Sequence, residues 1–111
     1  MENTRLQKIG RLIQKELGDI FLLQTKAMPG VLVSVTSVRV SPDLSIARAH
    51  LSIFPSERGE EIVKNIKENT KSIRFELGQR IRLQVRKIPD LTFFLDDSLD
   101  YLENIDNLLN R

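Results

Sequence analysis

At 111 residues, 41% hydrophobic and 29% charged, the chain has the length of one compact domain, 1–111, and is too apolar for a disordered one. The lack of cysteine excludes disulfides, thiolate metal sites and cysteine nucleophiles, and fits a reducing, cytoplasmic compartment. The net charge of +2 hides a division: residues 64–87 carry eight Lys or Arg against two Glu, whereas residues 88–111 carry one Arg against six acids.

Thr4-Arg5-Leu6-Gln7 has the form of a capping box, and Leu6, Ile9, Ile13, Leu17 and Ile20 follow at spacings of three and four. Helix is expected from residue 4 to residue 24, weakened by Gly10 and Gly18 and ended by Met28-Pro29-Gly30. The β-branched run from Val31 to Val40 predicts a strand. Its apolar phase changes between Val35 and Val38, the mark of a bulge. Ser41-Pro42-Asp43-Leu44 reads as a turn and Ile46–Phe54 as a second, alternating strand, so the two form a hairpin.

Pro55 and Ser56 are expected to stop that strand and cap a helix with Glu57, Glu60 and Glu61 in its first turn. The apolar stripe Ile62, Ile66, Ile73, Leu77, Ile81 has a hole at Asn69-Thr70, which leaves one long helix and two helices meeting at a kink both open. After Pro89, Leu91–Leu95 predicts a third strand with Phe93 and Phe94 on opposite faces. Asp97 or Ser98 would cap a last amphipathic helix through Leu99, Leu102, Ile105, Leu108 and Leu109. The order describes an α+β domain with helices over a three-stranded sheet. No signal peptide, membrane span, repeat or linker is visible, and the chain reads as a complete small cytosolic protein.

Catalysis finds little to work with. His50 is the single histidine, placed within a strand, and no nucleophile elbow surrounds a serine. The five glycines are too dispersed for a phosphate-cradling loop. Asp96, Asp97 and Asp100 gather at a helix start, where acids serve as caps more often than as metal ligands. No catalytic residue, metal, cofactor or small-molecule substrate is expected.

The basic segment is more informative. On a helical projection with Ile62 at zero, the apolar stripe occupies about 0–100°, and Lys64, Lys67, Lys71, Arg74 and Arg82 occupy about 120–200°. Gly78 falls within that band, where bare backbone would admit a phosphate. Arg80, Arg86 and Lys87 are supporting candidates, and Arg39 and Arg48 on the hairpin weaker ones. Few aromatics are available for base stacking, so the expected target is a structured RNA gripped by its phosphates. The rival readings are a protein-interaction adaptor using the acidic C-terminal helix, and a hydrolase centred on His50.

Several elements resemble the ribosome-binding factor A family. They are the first helix from Arg5 to Leu17, the hairpin Val35-Thr-Ser-Val-Arg-Val-Ser41-Pro-Asp43-Leu44-Ser-Ile-Ala47, and the helix with Ile73-Arg74 and Leu77-Gly78. The last is Ile88-Pro89-Asp-Leu91-Thr-Phe93-Phe94-Leu-Asp96-Asp97-Ser98, and the likeness covers nearly the whole chain. The resemblance implies a type II KH-like fold, α-β-β-α-(kink)-α-β, here with a C-terminal helix on the sheet. KH domains usually place a G-x-x-G loop at the kink. The family usually shows Ala-x-Gly there, and this chain has Asn69-Thr70-Lys71. The Leu83–Pro89 stretch is slightly longer than usual and adds Arg86-Lys87. The resemblance further implies a monomer in the cytoplasm that binds free 30S subunits near the 5′-terminal helix of 16S rRNA. It would assist late maturation and processing of the 16S rRNA precursor, with release involving an assembly GTPase in some bacteria.

Overall fold

The computed structural model describes residues 4–96. Its elements are α1 (Thr4–Thr25), β1 (Leu32–Val40), β2 (Ile46–Phe54), α2 (Gly59–Glu68), α3 (Thr70–Ile81) and β3 (Asp90–Leu95). The expected C-terminal helix lies outside the described residues. The sheet has the order β1-β2-β3, with β1 antiparallel and β3 parallel to the central strand. Parallel neighbours cannot be joined by a hairpin, so the α2–α3 pair forms the crossover. This is the type II KH-like arrangement.

Among the described residues, one face of the sheet is buried and the other open. Val33, Ala47, Ala49, Leu51, Ile53, Leu91 and Phe93 point into the core, where they meet Ile13, Leu17, Ile20 and Phe21 of α1. The stripe Ile62, Ile66, Ile73, Leu77 and Ile81 from the crossover is buried in the same core. Phe21 and Phe93 meet edge to face, with ring centroids 5.9 Å apart. The alternate strand residues, including Arg48, Phe54, Thr92 and Phe94, are exposed on the other side.

The phase change in β1 is a bulge at Thr36: Val35 pairs with Leu51, and Ser37 with His50. A bulge removes a residue's polar groups from the ladder. Gln14 of α1 answers this by donating from Nε2 to the carbonyls of Val35 at 3.0 Å and Thr36 at 3.3 Å. Helix α1 approaches β1 closely enough that a Cβ on Gly10 would sit 3.0 Å from the Val38 carbonyl oxygen, whereas one on Gly18 would meet nothing within 4 Å.

The hairpin turn is held by Asp43. Its Oδ1 accepts hydrogen bonds from the hydroxyls of Ser41 at 2.8 Å and Ser45 at 2.7 Å and from the Ser45 amide at 3.1 Å. These donors, the Ser45 hydroxyl foremost, hold its pKa at about 2 instead of 3.8.

The start of α2 departs from expectation. Pro55-Ser56 does not cap the α-helix; Ser56–Arg58 forms one 3-10 turn and α2 begins at Gly59 without a side-chain cap. Glu60 and Glu61 lie in its first turn, while Glu57 belongs to the 3-10 turn. Among the two arrangements left open for residues 59–81, the chain adopts two helices.

Two expectations follow. Gly10→Ala should destabilise, because forcing a methyl against backbone costs about 1–3 kcal/mol and outweighs the roughly 1 kcal/mol gained in helix propensity. Gly18→Ala should stabilise by up to about 1 kcal/mol, and urea unfolding of both variants would check the opposite signs. Asp43, with its pKa depressed in the fold, stabilises above its unfolded value and loses that contribution as pH falls through the folded one. The melting temperature of Asp43→Ala should therefore lie below the parent at neutral pH, the gap closing as pH falls from 3.8 to about 2.

Candidate nucleic-acid interface

The crossover carries the basic block, and its interruption shapes it. Asn69, at φ −105° and ψ 17°, separates α2 from α3. Of the three residues expected at the kink, Asn69 is the break, while Thr70 and Lys71 already belong to α3. The carbonyls ending α2 accept the Asn69 amide, at 3.2 Å from Asn65 O and 3.1 Å from Ile66 O, and two side chains. Asn69 Nδ2 donates to Asn65 O at 2.8 Å, and Thr70 Oγ1 lies 2.8 Å from Lys67 O and 3.3 Å from Ile66 O. The first turn of α3 receives no such help. It has no side-chain cap and no acidic residue, and it contains Lys71, a cation where the helix macrodipole favours an anion.

Lys64, Lys67 and Lys71 are exposed around this interruption. None is ion-paired among the described residues. Lys64 and Lys67 also border a cleft of about 410 Å³ between α2 and β3, whose other walls are Glu60, Val63, Phe94 and Leu95.

Two arginines of the block are engaged within the protein. Arg74 donates from Nε to Pro89 O at 3.1 Å and from Nη2 to Ile88 O at 2.7 Å, and its Nε is 3.4 Å from Asp90 Oδ1. It fastens α3 to the segment entering β3. Arg80 lies 3.3 Å from Glu16 Oε2 of α1 and 3.6 Å from Glu76 Oε1. Gly78 does not offer bare backbone to solvent: its Cβ position faces Ile88, 3.5 Å from that side chain. The projection treated residues 62–82 as one cylinder. The chain's return through Ile88-Pro89 covers the side of α3 on which Arg74 and Gly78 stand.

Arg82, Arg86 and Lys87 are exposed at the end of α3 and in the following segment, alongside Leu83, which is 92% exposed. Phe75 was not anticipated. It is 69% exposed and lies four residues after Lys71 and seven before Arg82, spacings that place all three on one helix face. The available signal was an aromatic off the apolar stripe, at about 220° on the same projection and so beside the basic band. His50 is in β2, stacked on Phe94 with centroids 5.2 Å apart. Among the described residues no cluster of three or more His, Asp or Glu could hold a metal ion, and no helix is long and apolar enough to cross a membrane.

Residues 5–109 match the family described as ribosome-binding factor A. The chain belongs to the ribosome-binding factor A family. It is 50% identical over 107 residues to the ribosome-binding factor A of Christiangramia forsetii, covering 95% of this chain and 82% of that one. With the Flavobacterium johnsoniae protein of the same name it shares 49% over 111 residues, covering 98% and 85%. The crystal structure of the Thermus thermophilus ribosome-binding factor A superposes with a TM-score of 0.66 at 21% identity, covering 81% of this chain and 94% of that one. A homology model of the Thermus thermophilus factor, fitted into the cryo-EM map of its complex with 30S, gives 0.60 at 22% identity, covering 78% and 89%. At those identities the solved structures speak for the fold alone.

Within this chain, the Arg74 contacts predict a structural role. Arg74→Ala would leave two carbonyls without their donors and should destabilise by about 1–3 kcal/mol. Lys67→Ala, on open surface, should stay within about 0.5 kcal/mol of the parent, and chemical denaturation of the two variants side by side would separate these outcomes.

Proposed function

We propose that this chain binds the free 30S ribosomal subunit by gripping 16S rRNA phosphates with Lys64, Lys67 and Lys71. Arg82, Arg86 and Lys87 extend the grip along α3, and Phe75 can stack on an unpaired base. Arg74 and Arg80 contribute by holding the crossover in place; their remaining donors are secondary contacts at most.

The observation that carries this reading is the trio of unpaired lysines around Asn69, with Lys71 set in the uncapped first turn of α3. A lysine in a first turn without a side-chain cap or an acid is chemistry suited to a phosphate. Phosphate contacts give affinity and orientation without reading sequence, which suits a protein that recognises a folded RNA. The 30S complex of the Thermus thermophilus factor supports the choice of target.

By the same reading the protein acts in the cytoplasm, through binding alone, with no cofactor, small-molecule substrate or chemical step. It engages the precursor near the 5′-terminal helix of 16S rRNA and assists late maturation and processing by favouring one RNA conformation over others. An assembly GTPase is the proposed release partner.

Co-sedimentation with separated ribosomal particles at several salt concentrations tests this. The parent should pellet with free small subunits and weaken with salt. Lys64→Glu, Lys67→Glu and Lys71→Glu together should lower affinity and flatten the log–log salt slope by about three, close to one unit per lost phosphate contact. Unchanged binding by the triple variant would remove these lysines from the interface.

A further inference from the structure

A cavity of about 220 Å³ opens where the end of α1 meets the break between α2 and α3. Phe21, Met28, Ile66 and Ile73 give it an apolar floor, and Gln24, Asn65, Asn69 and Ser72 stand around it as exposed polar groups. No charged side chain among the described residues lines it. Ile62, Asn65, Ile66 and Asn69 recur at the spacing of one helix face, so the cavity lies across α2 from the cleft that Val63, Lys64 and Lys67 border.

The polar groups around the cavity lack partners. The side chains of Gln24, Asn65 and Ser72 have no hydrogen bond among the described residues, and Asn69 donates from Nδ2 alone, which leaves its Oδ1 to accept. An aliphatic side chain entering here would cover these groups without bonding them, at a cost in affinity. A phosphate would find no cation on the walls. What fits is uncharged, flat and edged with donors and acceptors. The volume is below the roughly 300–1,000 Å³ of pockets that hold a whole small-molecule ligand, and it suits a single ring system. Single-stranded RNA offers such rings, as splayed-out bases held by aromatic contact and by hydrogen bonds to their edges.

We propose that this cavity takes one unpaired base of the bound RNA, an inference that rests on the RNA-binding reading and deepens it. Ser72 adjoins Lys71 and lies three residues before Phe75, so the cavity mouth, the ammonium and the exposed ring are neighbours on α3. A nucleotide whose base enters the cavity leaves its phosphate outside, at Lys71, and the next base lies against Phe75. The amides favour adenine, whose adjacent amino donor and ring acceptor match the carbonyl and amino groups of Asn or Gln.

Fluorescence anisotropy of the full-length chain with two labelled RNA hairpins tests this. One hairpin carries a single bulged adenosine, the other an abasic residue in its place. The parent should bind the first about tenfold more tightly, the scale of one base contact. Gln24→Ala with Asn65→Ala, both at exposed positions, should abolish that preference and leave the salt slope unchanged. Ser72→Trp, which fills the mouth, should do the same. Lys71→Glu should weaken both hairpins and flatten the slope by about one, with the preference kept. Equal affinity of the parent for the two hairpins, with the lysine effect intact, would overturn the base site and leave the phosphate grip standing. The site would also fall if that equality came with weaker 30S co-sedimentation by the cavity variants, because its occupant would then be a protein side chain. Binding of neither hairpin would overturn the RNA reading and the base site together.

Discussion

The parallel pairing of β2 with β3 is the constraint from which the rest of the molecule follows. A chain leaving β2 at Phe54 must return the length of the sheet before it can enter β3 at Asp90 in the same direction. It does so over one face, and the residues that make the return are the basic block. Their apolar stripe is buried against Ala47, Ala49, Leu51 and Phe93, so their charges have only the outer side to occupy. The gathering of cations on one side is thus a consequence of topology acting on an amphipathic sequence. The same return sets the local roles of the arginines. Carbonyls at Ile88 and Pro89, just ahead of β3, lie outside any ladder, and Arg74 on the neighbouring helix supplies their donors.

Much of this was legible in the sequence because it rests on short-range pattern. The change of phase in β1 located the bulge, since an extra residue must shift every later side chain to the other face, and Thr36 is that residue. The hole at Asn69-Thr70 located the interruption of the crossover, because both side chains compete for backbone groups. The start of α2 was read too early: Pro55-Ser56 has the chemistry of a helix start, and whether the first turn closes as 3-10 or α is decided by packing. The tasks of Arg74, Arg80 and Gly78 were not legible at all. They depend on Ile88, Pro89 and Glu16, groups brought near by the fold and absent from any local window. The helical projection placed these residues correctly around α3 and could not show which side a later segment would cover.

The interruption itself shows how one structural need can be met with different residues. Where the family resemblance implies Ala-x-Gly, this chain has Asn69-Thr70-Lys71, and side-chain hydrogen bonds accompany the break. The side chains of Asn69 and Thr70 bond to carbonyls that end α2, alongside the Asn69 amide. That solution leaves the third position available for a charge.

The charge placed there is the wrong one for the helix. A lysine in the first turn of α3, with no acid and no capping side chain in that turn, opposes the macrodipole. Stability alone would favour aspartate or glutamate at this position. An anion arriving from outside reverses the sign of each term at once, meeting the amides, the dipole and the ammonium together. Local violations of folding preference in an otherwise consistent sequence tend to mark functional positions. Here the violation coincides with exposed lysines that have no ion pair among the described residues, and the proposed phosphate contact rests on that coincidence.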